Sequence, residues 1–467
     1  MLTKAELFFN KIKDKKVVFI GLGVSHTNLV KLLCKKGISV SVCDRASKED
    51  LGEIYQELLK LGVNFCLGEK YLDNILQADI IFRTPGMNYY SPILLECRKK
   101  GIVVTSEMEV FFDLCPCKTY AVTGSDGKTT STTLIAELLK AQGKKVHLGG
   151  NIGKALLPII EEISQDDVAV VELSSFQLTS MRCSPDVSVI TNITPNHLDV
   201  HKDMDEYIEA KCNLILHQGA FSRTVLNLDN ETTSGLSGLV RGELLWFSRT
   251  TVPQNGVYLA ENGDIFSVKN SVQTRIMSKD DIKLPGIHNV ENYLTAISAT
   301  LGEIDVENIV NVAKEFGGVE HRIEFVTEIN NVKYYNDSIA TSPTRTIAGL
   351  NSFNQKLIVI SGGYDKKIPY EPLAPHILNK VKVLILLGAT AKKIEKAILE
   401  NESFENSEIE IIHAQTLENA VDIASKRSTS GDIIILSPAS ASFDMYKNFE
   451  QRGNHFKNIV NSRIKEK

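Results

Sequence analysis

The stretch from Tyr120 to Thr133, YAVTGSDGKTTSTT, constrains this chain more than any other. An apolar run meets two glycines, Gly124 and Gly127, which bracket Ser125 and Asp126; Lys128, Thr129 and Thr130 follow directly. Glycine takes positive φ without a side-chain clash, so the pair marks a tight loop. Beyond it Leu134, Ile135, Leu138 and Leu139 recur at helical spacing. A strand that feeds a helix through a short loop is half of a βαβ unit, which directs the chain to an α/β fold. Ligands of open α/β sheets bind at the carboxyl ends of the strands, where this loop falls.

The same residue types suit an anion. Glycines let backbone N–H groups face a phosphate, a helix N-terminus adds partial positive charge, and Lys128 adds a full one. The common phosphate loop is G-x-x-x-x-G-K-[ST], but its first glycine would fall at Val122, inside the strand. The loop here is the shorter Gly124-x-x-Gly127-Lys128-Thr129, with the Thr129 hydroxyl available to Mg²⁺. The competing reading is a glycine-softened turn with an exposed lysine.

Further α/β units lie on either side. Lys16 to Asp44 reads as strand, glycine turn, helix and strand, a nucleotide-binding layout. The third glycine of a G-x-G-x-x-G fingerprint is replaced by His26, which opposes close helix–strand packing and weakens a redox reading. VHLGGNIG, DDVAVVELSSFQ and VSVITNITPNH each end a strand on polar residues, and GVYLAENGDIFSV is a hairpin signal turning at Asn262-Gly263. LIVISGG, KVLILLGAT and DIIILSPAS predict a third, doubly wound sheet. At 467 residues the chain exceeds one core, and three domains are expected over 1–107, 108–317 and 318–467.

Composition excludes other classes. A net charge of −5 without a long basic run argues against nucleic acid or anionic membrane as partner. No apolar run approaches the roughly 20 residues that span a bilayer. The charged start, MLTKAELFFNKIKDKK, lacks a secretory core, and eight irregularly spaced cysteines fit a reduced, cytoplasmic protein. Cys115 and Cys117 are the only pair close in sequence, too few ligands for zinc.

A magnesium site needs carboxylate, and Glu172 ends the run VAVVE at the same sheet edge as the loop. His197-x-Asp199-x-His201 has the look of a metal site, leaving a zinc or dinuclear hydrolase open.

GSDGKTT, GGNIG, VELSSFQ, NITPNHLD, EAKCNL, LPGIHNVEN, EHRIE, NDSIATSP and SPASASFDMYKNFEQRG together resemble the Mur ligases, in the family's order and across all three segments. The last two point to the branch that adds D-glutamate to UDP-N-acetylmuramoyl-L-alanine, and the Asp-Asn-Pro-Arg motif of the diaminopimelate-adding branch is absent. The resemblance implies an N-terminal Rossmann-like domain for the UDP-sugar, a central P-loop ATPase-type mixed sheet with a β-rich insertion, and a C-terminal doubly wound domain for the amino acid. It implies a cytoplasmic monomer that uses ATP to convert the alanyl carboxylate to an acyl phosphate, which the D-glutamate amine attacks. Rivals are another Mur-type or folylpolyglutamate-type amide ligase, or a P-loop ATPase switch.

The resemblance also assigns residues. Ser125, Asp126, Lys128 and Thr130 line the phosphates; Thr129 and Glu172 hold one Mg²⁺; His197 and a carbamylated Lys211 support a second, with Asp199 and His201 structural. Asn289 and Asn292 meet adenine, Arg322 beside His321 reaches the phosphates, and Asp337 meets the ribose or the metal shell. Thr341, Lys366, Ser442, Phe443 and Phe449 receive D-glutamate. Asn151, Ser25, His26, Asp44, Arg45, Thr84 and Gly86 serve the nucleotide-sugar substrate. Ile339 stands where many relatives carry lysine, so one phosphate-side cation is missing or comes from elsewhere.

Overall fold

The computed structural model describes residues 2–195, 200–366, 368–405 and 407–465, with only the backbone of Val24, Ser25 and Lys465. Two compact units form: Met1–Asp281 with Val290–Val312, and Ile282–Asn289 with Ala313–Lys467. The first unit carries two sheets and the second carries one.

The first sheet consists of β1 (Val17–Ile20), β2 (Val40–Asp44), β3 (Asn64–Leu67), β4 (Ile80–Arg83) and β5 (Val103–Thr105). All pairs are parallel, in the order β3-β2-β1-β4-β5. The chain therefore reverses its direction of winding between β1 and β4, where a crevice opens at the carboxyl ends. Leu29 and Leu33, one helical turn apart on the helix Val24–Lys35, are fully buried. His26 does not hold that helix off the sheet. Its ring is buried, 2.7 Å from the Gly21 carbonyl through Nδ1, and packs edge-on against Phe19.

The second sheet has nine strands: β6 (Lys118–Thr123), β7 (Val146–Gly150), β8 (Val168–Glu172), β9 (Val187–Ile190), β10 (Arg223–Asn227), β11 (Glu243–Ser248), β12 (Gly256–Leu259), β13 (Asp264–Lys269) and β14 (Val272–Ser278). Its order is β14-β13-β12-β11-β10-β9-β6-β8-β7, parallel from β7 to β12 and antiparallel over β12–β14. The antiparallel end is the β-rich insertion that the hairpin signal predicts, with Gly263 at φ 87° in its turn. β6 is flanked by β8 and β9, its apolar side chains wholly buried, and the helix Lys128–Ala141 seals it with Leu134, Ile135, Leu138 and Leu139. Each such side chain contributes roughly 1.5–3 kcal/mol by leaving water, so the loop at the end of β6 stands on a rigid base.

The third sheet comprises β15 (Glu324–Ile329), β16 (Val332–Asn336), β17 (Leu357–Ser361), β18 (Val381–Leu386), β19 (Glu410–His413) and β20 (Ile433–Leu436), in the order β15-β16-β20-β17-β18-β19. Only β15 runs antiparallel. Alternate residues serve two cores: Leu357 and Val359 pack with Ile377 and Ile394, Ile358 and Ile360 with Val421 and Phe456. Helices cover both faces, which explains the unbroken apolar runs of β17 and β20. Among the described residues no helix is long and apolar enough to cross a membrane.

Candidate functional site

At the carboxyl end of β6 the backbone enters a conformation that only glycine accepts easily. Gly124 has φ 149°, and a Cβ there would lie 1.9 Å from Thr191 Oγ1. Gly127 has φ 73° and would meet Asn292 Oδ1 at 2.6 Å. The loop is bound to the chain beyond β9. Ser125 N–H donates to the Asn192 carbonyl, Asp126 N–H to Asn192 Oδ1, and the Thr191 hydroxyl to the Asp126 carbonyl at 2.6 Å. Ser125 Oγ lies 2.9 Å from the Thr194 carbonyl and 3.0 Å from Tyr207 Oη. The amides of Ser125 and Asp126 thus already serve Asn192, and the helix that follows opens at Lys128, Thr129 and Thr130. Lys128 Nζ folds back to the carbonyls of Gly124 (3.0 Å) and Ser125 (2.8 Å).

Lys211, on the helix Met204–Leu216, approaches the same loop from beneath. It is 1% exposed, donates to the Gly124 carbonyl at 2.8 Å, and lies 4.5 Å from the Tyr207 ring centre. Burial, then the charge of Lys128, push its pKa down to about 7, against the pull of Asp126 and Glu172.

Glu172 ends β8, its residue paired in register with Val122 of β6. It is 1% exposed, and Oε1 accepts a 2.8 Å hydrogen bond from Asn151 Nδ2. Oε2 is buried and has no hydrogen-bond partner among the described residues. An unmatched carboxylate oxygen in a dry setting calls for a cation, and hard oxygen donors suit Mg²⁺. The residues present therefore fit a magnesium ion. Among the described residues no three His, Cys, Asp or Glu side chains gather as a metal cluster.

His197 and Asp199 lie outside the described residues. His201 is buried, bonded to Ser175 Oγ at 2.9 Å and stacked on Phe176. Asn292 is buried against Ser131 Oγ at 3.2 Å, beneath Gly127. Asn289, in the other unit, donates to the Pro285 carbonyl at 2.7 Å.

In the first sheet, Asp44 receives the N–H groups of Leu22 and Ala46, and Arg45 extends to Tyr71 Oη. Thr84 and Gly86 follow β4 at the crevice, and Ser25 is in the first turn of the helix Val24–Lys35. The sequence reading missed Arg83. Its buried guanidinium donates to the Phe176 carbonyl and Ser180 Oγ, joining the first sheet to the second.

The second unit gathers its assigned residues around the ends of β16 and β20. Asp337 is buried, accepting from Ser437 Oγ at 2.8 Å and from Ile323 N–H at 3.3 Å, and burial pushes its pKa up to about 7. Arg322 sits between two residues with left-handed backbone, His321 (φ 64°) and Ile323 (φ 47°), a strained turn of the kind that accumulates at functional sites. Lys366 donates to Thr341 Oγ1 at 3.2 Å, and burial with the charges of Arg345 and Arg452 lowers its pKa. Phe443 is 63% exposed and meets Tyr364 edge-on, whereas Ser442 is buried. The Phe449 carbonyl accepts from Ser338 Oγ at 2.8 Å.

Arg452, also missed, binds this cluster together. Its guanidinium, 2% exposed, donates to Ser338 Oγ and to the carbonyls of Ser338, Ser440 and Ala441, all at 2.9–3.1 Å. The arginine in the run FEQRG is visible in sequence, but its partners, more than a hundred residues away at Ser338, are not.

Residues 15–106 match the MurD-like N-terminal domain of Mur ligases, 122–300 the Mur ligase middle domain, and 321–440 the Mur ligase glutamate ligase domain. A protein of Acetivibrio thermocellus named UDP-N-acetylmuramoylalanine–D-glutamate ligase is 53% identical over 464 residues, covering 99% of each chain. A Clostridium botulinum protein of the same name is 48% identical over 97% of this chain and 99% of its own. The UDP-N-acetylmuramate-alanine ligase of Thermotoga maritima shares the fold, with a TM-score of 0.56 at 19% identity, covering 96% of this chain and all of that one. With three successive domains matched along its length and whole-length relatives at about half identity, the chain belongs to the Mur ligase family.

Proposed function

We propose that the chain joins D-glutamate to UDP-N-acetylmuramoyl-L-alanine at the expense of ATP, a step of peptidoglycan precursor synthesis. The observation that carries the mechanism is the meeting of three features at one sheet edge: the Gly124–Thr129 loop, buried Lys211 and the unmatched oxygen of Glu172. The relatives' shared name supports the choice of substrates.

A carboxylate attacking a polyphosphate brings two anions together, so alignment and positive charge must lower the barrier. Lys128 exchanges its loop carbonyls for phosphate oxygens, and the N–H groups that open the helix Lys128–Ala141 bind them. The alanyl carboxylate takes the terminal phosphoryl group of ATP, giving an acyl phosphate. The D-glutamate amine attacks that carbonyl, loses a proton, and phosphate leaves as the amide forms. When bound, Mg²⁺ would supply charge neutralisation along the phosphates; Thr129 and Glu172 would hold one ion, and His197 with carbamylated Lys211 a second. A lysine whose pKa sits near 7 offers the neutral amine that carbamylation requires. We assign the UDP-sugar to residues 1–107, ATP to 108–317 and the amino acid to 318–467, where Lys366, Thr341 and Ser442 supply donors for the two carboxylates of D-glutamate.

The test offers the purified chain UDP-N-acetylmuramoyl-L-alanine, ATP, Mg²⁺ and a panel of D- and L-amino acids, with products identified by mass. Amide formation with D-glutamate alone is expected, reduced at least ~100-fold in Lys128→Ala. ATP hydrolysis indifferent to both substrates would establish a switch instead, and another amino acid in the product would establish a rival ligase. Carbamylation predicts a new carbonyl resonance on adding ¹³C-bicarbonate, absent from Lys211→Arg.

A further inference from the structure

Cys115 and Cys117 take no part in the chemistry above, yet they form a thiol pair. CPC closes the helix Glu107–Leu114 and leads into β6. The two Sγ atoms are 3.6 Å apart, and Cys115 Sγ lies 3.7 Å from the Cys117 carbonyl. Cys115 has φ −57° and ψ 123°, the extended geometry that a following proline imposes. Cys115 is partly buried at the edge of the core, whereas Cys117 is 6% exposed and faces into it. Both are free thiols. The hydrogen bond between the two sulfurs draws the Cys115 thiol below its usual pKa and pushes that of Cys117 upward.

We propose that Cys115-Pro116-Cys117 is a redox-active dithiol that closes to an intrachain disulfide by exchange with a low-molecular-weight disulfide. Cys115 loses its proton to solvent, and the thiolate attacks one sulfur of the oxidant and expels its partner as a thiolate. Cys117 then loses its proton and attacks Cys115 Sγ in the mixed disulfide, releasing the second thiolate. Two protein thiols give up two electrons and two protons, and the oxidant's S–S bond becomes two thiols. Closure needs the sulfurs to approach from 3.6 Å to about 2.0 Å, a movement within reach of χ1 rotation. A ring spanning a single intervening residue is small and strained, which makes such a bond easily reduced and suits it to reversible exchange.

The fold supplies an internal comparison. Cys43 and Cys66 face each other in register on β2 and β3, but both sit within paired parallel strands. Burial raises the pKa of the Cys43 thiol, so this pair is expected to react more slowly than CPC.

The experiment treats the full chain with oxidised glutathione, quenches with acid, and maps the cysteine peptides by mass. The Cys115–Cys117 peptide is expected to lose about 2 Da and to regain it with dithiothreitol. Cys117→Ser should accumulate a glutathione adduct of about 305 Da on Cys115, and Cys115→Ser should leave Cys117 reduced. A stable adduct on wild-type Cys115 would overturn the proposal, as would a bond at Cys43–Cys66 with CPC unmodified, or thiols at 115 and 117 that never react. The wild-type map decides by itself should either variant fail to fold.

Discussion

Replacing Lys211 by methionine should make the protein more stable at neutral pH while abolishing its chemistry. In the unfolded chain this lysine keeps its proton up to 10.5, whereas the folded chain releases it near 7. Below pH 7 the fold therefore carries the whole cost of a buried ammonium, about 5 kcal/mol at about 1.4 kcal/mol per pKa unit. Between 7 and 10.5 the unfolded state binds more protons, so wild-type stability rises with pH and the cost fades. Against this stand the hydrogen bond to Gly124 and the Tyr207 contact, together about 2 kcal/mol. The Gly124 carbonyl keeps Lys128 as partner in the variant. The net expectation is a variant about 2–3 kcal/mol more stable at pH 6.5, with the advantage shrinking by about 1.4 kcal/mol per pH unit and vanishing near pH 9. Urea unfolding read by Trp246 measures this, since the chain's one tryptophan lies on β11 of the same sheet. Chelator and CO₂-free buffer keep the lysine unmodified and free of metal. A stability difference constant from pH 6.5 to 9, or a variant less stable at pH 6.5, would refute the argument.

Gly124→Ala should cost at least ~3 kcal/mol and remove nucleotide binding, because the new methyl meets Thr191 Oγ1 at 1.9 Å on a backbone of φ 149°; calorimetric titration with an ATP analogue checks it. Arg452→Lys should raise KM for D-glutamate roughly 10–100-fold and leave KM for ATP within about twofold, since an ammonium cannot span Ser338, Ser440 and Ala441 at once. Equal rises in both would mark Arg452 as structural alone. Glu107 is buried under the amides of Leu156 and Leu157, and burial pushes its pKa up to about 7. The folded state binds the extra proton between 4.5 and 7, so wild-type stability should fall across that window. Measured against Glu107→Gln, the loss from pH 5 to pH 8 should be about 2–3 kcal/mol, and a pH-independent gap would contradict it.

Much of this architecture is written in local sequence. Alternation and apolar runs place the strands, glycines mark the turns at Gly124, Gly127 and Gly263, and Glu172 falls at a strand end because VAVVE stops there. What stays hidden is set by distance along the chain. Asn192 completes the loop from the far side of β9, and Arg452 reaches back to Ser338. Cys43 meets Cys66 only through sheet register. His26, which by composition opposes tight packing, is accommodated by turning its ring toward Gly21, an outcome that depends on the depth of the space behind β1. Local pattern specifies elements, and side-chain satisfaction across the sheet specifies partners.

Asn192 has one more consequence. By accepting the amides of Ser125 and Asp126 from the chain just beyond β9, it fixes the shape of the Gly124–Thr129 loop. On the function proposed above, a triphosphate would meet a loop backbone already in place, leaving the Lys128 side chain to turn away from its two carbonyls. Under that reading, little backbone ordering would accompany capture.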